Sequence, residues 1–351
     1  MSRNIKSFCS RSQASRGLAL LLAAALLSAA GCGAARERDG DTLRLGVALY
    51  TQDDTFISSV TQNLERMVQE SEVKLGRRIN ISVVDGANNQ TTQLEQVDRF
   101  LDQGYDALLV NLVDRTAAAV LLDKTEEAQV PVVFFNRQPV AEDIDYRERV
   151  YYVGARAEEG GVMQGELVLD AWRDASLGVD RNGDGVLQYV MLEGEPGHQD
   201  ALLRTEYSVK TLTDAGVAVE KLDSDAANWK RGPASAKMAQ WLDDFGDDIE
   251  VVLANNDDMA LGAIDALRDW KGPRPLVVGV DATAPALEAV AAGELYGTVL
   301  NDAAGIARAM LELAIALADG QDPAQAMELW DGHYVWLPYQ KVNLRNLDRF
   351  S

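Results

Sequence analysis

Short runs dense in Val, Leu, Ile and Phe alternate with amphipathic stretches along most of this chain. LRLGVAL precedes a helical pattern over 58–73, INISVV precedes one over 92–102, and DALLVNLV precedes one over 117–128, before VPVVFFN ends the series. Around YYVGARAEE the alternation restarts, with a helix over 158–175 and then VLQYVML, 200–214, VAVEKLD, 235–244, EVVLANN, 259–270, LVVGVD, 285–292 and LYGTVL. A last helix is expected over 303–318. Repeated strand–helix units fold into a parallel sheet with helices on both faces. Two such series predict an α/β protein of two doubly wound lobes facing across a cleft. A length of 351 residues is enough for two ordinary cores.

Six of the strand-like runs end in a polar residue: Asp54, Asn136, His198, Asn256, Asp281 and Asn301. Ligands of open parallel sheets bind outside the carboxyl ends of the strands, so all six stand where a pocket would form. Together they suit one small polar molecule. Such a set points to binding before it points to catalysis.

Acidic residues number 55 against 33 basic ones, a formal net charge of −22. That balance repels phosphate backbones and argues against a nucleic-acid partner. The first 31 residues differ in kind: Arg3, Lys6, Arg11 and Arg16 precede an apolar stretch over 18–30, and no acidic residue occurs there. A basic start, a short apolar run and small residues describe an export signal, too short to span a membrane comfortably. It ends LSAAGC, which resembles a bacterial lipobox and makes Cys32 the expected lipidation site, although Ala29 stands where Leu is usual. The other reading is an ordinary cleaved signal with Cys32 near the cut. Cys9 would leave with the signal, so the exported chain has no internal disulfide. Residues 33–41 read as a flexible tether.

The run DRNGDGVLQ places oxygen-bearing side chains at loop positions 1, 3, 5 and 9 (Asp180, Asn182, Asp184 and Gln188), with Gly185 at position 6 for the sharp turn. Val186, at position 7, offers its carbonyl. This is the pattern of a calcium loop, since Ca²⁺ takes six to eight hard oxygen ligands. Position 12 is Met191, where the usual loop carries a bidentate Glu. Either the run is a simple turn, or a carboxylate arrives from elsewhere in the chain. The following VLQYVML reads as a strand, unlike the exit helix of a calcium sensor.

From about Leu43 to the C-terminus the chain resembles the periplasmic galactose/glucose-binding proteins of bacterial ABC sugar importers and chemotaxis. The resemblance is carried by YTQDDTF, INISVVDGANNQ, GYDALLVNLVD, VPVVFFNRQP, GEPGHQDALLRT beside the metal loop, IEVVLANNDDMALGAIDAL, GVDA and GTVLNDA. It implies the periplasmic-binding-protein type I fold, closing on one hexose, with a first lobe of 42–153 plus 302–335 and a second of 154–301 plus 336–351. The implied polar contacts are Asp54, Asn136, His198, Asp200, Arg204, Asn256, Asp281 and Asn301, and the implied stacking rings are Phe56 and Trp229. Asp54 would meet the hydroxyl that distinguishes glucose from galactose. The resemblance also supplies the missing metal ligand, Glu250, and makes Ca²⁺ a structural cofactor. It implies D-glucose or D-galactose as ligand, an ABC permease and a chemoreceptor as partners, a monomer, and a periplasmic or outer-surface location with an anchor at Cys32. Carboxylates that accept paired hydroxyl bonds, Asn and Arg donors, and rings over the C–H faces suit a pyranose.

Each residue also has a plainer reading. Asp54 suits a helix N-cap, the three asparagines suit turns after strands, and Asp200 with Arg204 suits a helical ion pair. His198 suits a loop surface, and Phe56 and Trp229 suit a core. An enzymatic alternative takes His198, Asp200 and Asp281 as an acid–base set for sugar isomerisation or hydrolysis. The sequence offers no nucleophile elbow, phosphate loop or cofactor fingerprint in support. A sugar-responsive transcription regulator would share the lobes, but it would carry a basic DNA-binding domain rather than an export signal.

Overall fold

The computed structural model describes residues 42–350. The export signal, the tether and Cys32 lie outside the described residues. The first series comprises β1 (Thr42–Leu49), α1 (Thr55–Leu75), β2 (Arg78–Asp85), α2 (Gln90–Asp102), β3 (Ala107–Val110), α3 (Ala118–Glu127), β4 (Val132–Phe135), α4 (Ala141–Asp145) and β5 (Val150–Gly154). The second comprises α5 (Ala157–Arg173), β6 (Val186–Glu193), α6 (Gln199–Asp214), β7 (Ala218–Ala226), α7 (Arg231–Phe245), β8 (Val251–Ala254), α8 (Asp257–Leu267), β9 (Leu276–Val278), α9 (Ala284–Ala291) and β10 (Gly297–Leu300). The chain ends with α10 (Ala303–Ala318), α11 (Pro323–Ala326), β11 (Tyr334–Trp336) and β12 (Gln340–Asn343).

These strands form two six-stranded sheets of matching order, β11-β5-β4-β3-β1-β2 and β12-β10-β9-β8-β6-β7. In each, the first strand of the series (β1 or β6) lies between the second and the third. The connections therefore leave in opposite directions there, opening the crevice that binds ligands in doubly wound sheets. The last two strands complete the sheets differently: β11 is parallel to β5, and β12 is antiparallel to β10. The chain passes between the sheets three times, after Gly154, after Leu300 and after Trp336. Gly154 and Trp336, paired in register at the end of the first sheet, stand one residue beyond the boundaries expected for the lobes.

Alternation along the strands decides what each face buries. Leu43, Leu45, Val47 and Leu49 of β1 join Val133 and Phe135 in one core beneath α1 and α10. Ala48, Leu108, Val110, Val132 and Phe134 join Phe100 and Leu121 in a core on the opposite face. The second sheet repeats this, with Trp241 and Ile264 on one side and Leu167 and Tyr339 on the other. Burying a side chain of this size contributes about 1.5–3 kcal/mol, so these cores hold the strand ends firmly where the site is built. Among the described residues, no helix is long and apolar enough to cross a membrane.

Candidate functional site

One cavity lies between the strand ends of the two sheets, with about 340 Å³ of space including its open mouth. Its walls are Tyr50, Asp54, Phe56, Asn136 and Arg137 from the first lobe, and His198, Asp200, Arg204, Trp229, Asn256 and Asp281 from the second. Nine of the ten residues expected to meet a ligand thus face one space. The tenth, Asn301, is buried behind it, and its Nδ2 donates to Asp281 Oδ1 at 3.3 Å.

Several plain readings hold at the same positions. Asp54 caps α1, its Oδ1 accepting from the Ile57 N–H at 2.9 Å, while its Oδ2 takes the Tyr50 hydroxyl at 2.5 Å. Asn256 caps α8 through Oδ1, and its Nδ2 donates to the Trp229 carbonyl at 3.2 Å. His198 caps α6, its Nδ1 accepting from the Asp200 N–H at 3.1 Å. Capping anchors these side chains by one atom and aims the remainder at the cavity. Cap and ligand contact are compatible because a helix N-terminus after a strand lies at the mouth of the sheet.

That cap also fixes the chemistry of His198. With Nδ1 accepting, the neutral ring carries its proton on Nε2 and can only donate there. Burial, followed by the cations Arg137, Arg204 and Arg115, holds the imidazole well below its usual pKa. A neutral donor suits hydroxyl recognition and is poorly placed as a general base.

Arg204, on α6, organises the charged floor. Its Nη1 donates to the Asn255 carbonyl at 2.9 Å, and its Nη2 to the Tyr339 hydroxyl at 3.0 Å and to Asp200 Oδ2 at 3.3 Å. Asp281 Oδ1 lies 3.7 Å from Nη1. Burial pushes the Asp281 carboxyl well above its usual range while Arg204 pulls it back. Burial likewise raises Asp200, again opposed by Arg204. Three site residues hold left-handed or positive-φ backbone: Asn136 at 59°, Trp229 at 64° and Asp281 at 118°. Conformations of this kind cost on the order of 1–3 kcal/mol in non-glycine residues and persist where packing enforces them.

The Trp229 ring meets His198 edge-on, with centroids 5.2 Å apart and planes at 79°. It fits only because residue 194 is glycine, since a Cβ there would overlap the indole. Tyr50 and Arg137 were not expected in the wall. The Arg137 guanidinium lies 3.5 Å from the Tyr50 ring centroid, and its Nη2 donates to Glu195 Oε2 of the other lobe at 2.8 Å.

The chain matches the model of the periplasmic binding protein domain over residues 45–322. It belongs to that family. Among periplasmic binding proteins, it is 38% identical over 310 residues to the D-galactose/methyl-galactoside binding periplasmic protein MglB of Haemophilus influenzae, covering 88% of this chain and 91% of that one. A rhizopine-binding protein of Rhizobium meliloti is 30% identical, with coverage of 88% and 92%. An ABC transporter solute-binding protein of Bacillus halodurans, solved with bound myo-inositol, superposes with a TM-score of 0.70 at 26% identity, covering 88% and 96%. This is a family of binding proteins for transport, so the chain is a binding protein and not an enzyme.

The loop expected to hold a metal lies apart from this cavity, just before β6. Asp184 Oδ2 accepts from the side-chain amides of Asn182 and Gln188, each at 3.0 Å. Asp180 accepts from the N–H groups of Gly183 and Gly185 at 2.8 and 3.0 Å. Glu250, 2% exposed, reaches the loop from the start of β8 and accepts from the Arg181 and Gln188 N–H groups at 2.7 and 3.2 Å. Burial raises its pKa. Rotating the two amides would aim their oxygens toward the Asp184 carboxylate, since amide O and N exchange places by a flip. The donor set is then all oxygen, which fits a hard cation such as Ca²⁺. Among the described residues, no three Asp, Glu, His or Cys side chains gather as a metal cluster.

Proposed function

We propose that this chain captures D-glucose, D-galactose or both in the interlobe cavity and delivers the hexose to an ATP-driven membrane permease. The observation that carries the reading is the convergence of Asp54, Asp200, Asp281 and Arg204 with the rings of Phe56 and Trp229 on one space. Carboxylates serve vicinal hydroxyls, the guanidinium and the His198 Nε2–H donate, and the rings cover apolar C–H faces. Arg204 Nε, in the cavity wall, is buried without a protein partner, as befits a wall that binds a polar guest. The galactoside named for the Haemophilus relative supports a hexose over a pentose. Because both lobes supply contacts, the hexose favours the closed form over the open one, and the permease reads closure.

The periplasmic face of a bacterial membrane is the place of action, with a lipid anchor at Cys32, and a chemoreceptor is a second partner for the closed form. Calcium is structural here: Asp180, Asn182, Asp184, Gln188, Glu250 and the Val186 carbonyl hold it and brace the entry to β6. The test is titration calorimetry on sugar-free protein with D-glucose, D-galactose, D-ribose and L-arabinose. One-to-one binding of a hexose without turnover supports the reading, and silence toward both hexoses in folded protein overturns it.

A further inference from the structure

Asp257 is a fully buried carboxylate beside the site that takes no part in its wall. It opens α8 directly after Asn256, yet its side chain points away from solvent and toward the turn after β9. Oδ1 accepts the Thr298 hydroxyl at 2.6 Å. Oδ2 accepts the Thr283 N–H at 2.8 Å and the Thr283 hydroxyl at 3.3 Å. Thr298 Oγ1 in turn accepts the Ala282 N–H at 3.3 Å, and the Asp257 N–H donates to the Val280 carbonyl at 2.8 Å. The carboxylate therefore holds the backbone just after Asp281, directly at residue 283 and through Thr298 at residue 282, while the Asp257 N–H holds the Val280 carbonyl just before it.

The segment so held is strained. Asp281 has φ 118° and Ala282 φ 53°, where a side-chain-bearing residue is disfavoured. Strain of this kind relaxes unless surrounding bonds over-determine the conformation. The bonds from Asp257 and Thr298 do that here, together with the Asp281 N–H donating to the Val299 carbonyl at 2.8 Å. The chain also makes room for the clamp. Gly279 faces Asp257 Oδ1 so closely that a Cβ at that position would collide with it.

We propose that Asp257 is a positioning residue for hexose recognition: by clamping the 281–283 turn through Thr283 and Thr298, it fixes the Asp281 carboxylate against Arg204 at the cavity floor. This rests on the reading of Asp281 as a hexose contact. Asp257 itself touches no ligand. Its effect is to hold one carboxylate in a single orientation, which removes an ordering cost from binding.

The experiment is a double-mutant cycle on the full exported chain, with Asp257→Asn, Asp281→Asn and the double variant, each titrated with D-glucose and D-galactose and melted without sugar. The expected result is a ten- to hundredfold loss of hexose affinity in D257N that largely vanishes in the D281N background. A lowered melting temperature with unchanged affinity overturns the proposal, as does an equal affinity loss in both backgrounds. If D281N binds as wild type does, the assignment of Asp281 falls first and this proposal falls with it. Thr298→Val, which cuts only the link to Ala282, is the milder variant should D257N fail to fold. It is expected to lose affinity several-fold, again only when Asp281 is present, and wild-type affinity in T298V counts against the clamp.

Discussion

Arg137 of the first lobe donates to Glu195 of the second across 2.8 Å, so one ion pair spans the cleft beside the cavity. Arg137 is 6% exposed, lies on the Tyr50 ring, and also donates to the Val113 carbonyl at 3.2 Å. Three further polar bridges cross between the lobes: Thr55 to Asp258 at 2.6 Å, Lys230 to Asp53 at 2.9 Å, and Gln199 to Gln138 at 3.3 Å. These bridges hold the lobes closed over the cavity. An exposed pair such as Lys230–Asp53 stabilises closure little, whereas a buried guanidinium left unpaired is costly.

Glu195→Ala is therefore expected to weaken hexose binding roughly ten- to hundredfold, since a hydrogen bond to a charged group contributes roughly 1.5–3 kcal/mol. Lys230→Ala is expected to change it less than about twofold. Calorimetric titration of both variants distinguishes them, and equal affinities would show that the buried bridge does not govern closure.

Trp229→Ala is expected to lower hexose affinity about a hundredfold and to lower stability as well, because the half-buried ring lines the cavity and also packs against the second lobe's core. Gly194→Ala is expected to reproduce part of that loss, since its new methyl group displaces the indole without removing any polar contact. Affinity and tryptophan fluorescence measured on both variants check this. A Gly194→Ala protein that binds normally would mean the ring position is not critical.

The sequence exposed those parts of the site that obey a rule of position. Residues that follow a strand and precede a helix stand at the cavity mouth, so Asp54, His198 and Asn256 could be read from where they fall in the alternation. Their cap bonds and their ligand-facing atoms share that cause. Tyr50 and Arg137 obey no such rule, because stacking a guanidinium on a ring from another strand depends on tertiary approach. Strands β11 and β12 were missed because three and four residues around a proline carry too little periodicity. Helix α4, five residues long, was missed for the same reason. Asp257 was invisible because its threonine partners lie 26 and 41 residues away.

Calcium should raise the melting temperature of the wild-type protein, and chelation should reverse the rise. Glu250→Gln is expected to abolish most of that calcium-dependent difference while folding normally enough to bind sugar. Thermal melts of both proteins with calcium and with chelator are the check. A wild-type protein indifferent to calcium would make the 180–188 run a turn and nothing more.

A pH effect follows from Asp257, whose carboxyl burial pushes up to about 7. The folded form holds the proton more tightly than the unfolded form, in which the group titrates near 3.8. Its contribution to stability is complete below about pH 4 and is lost as pH rises toward 7. Asp281 and Asp258, also raised, act in the same direction, while His198, held low, acts in the opposite one. Asp257→Asn removes one term from this sum. Its melting temperature relative to wild type should therefore rise between pH 4.5 and 7.5, and a constant offset would refute the assignment.

The matching sheets are finished in an order that constrains how the chain can be made. Ile306, Met310, Leu313 and Leu317 of α10 cover the first core, and β11 supplies that sheet's last strand, yet both emerge after the whole second series. A nascent chain ending near residue 301 would present a bare apolar face and two unpaired strand edges at once. Such a fragment is a candidate for chaperones and proteases rather than a half-protein, and the two lobes are expected to mature as a single event once residues 302–336 are in place.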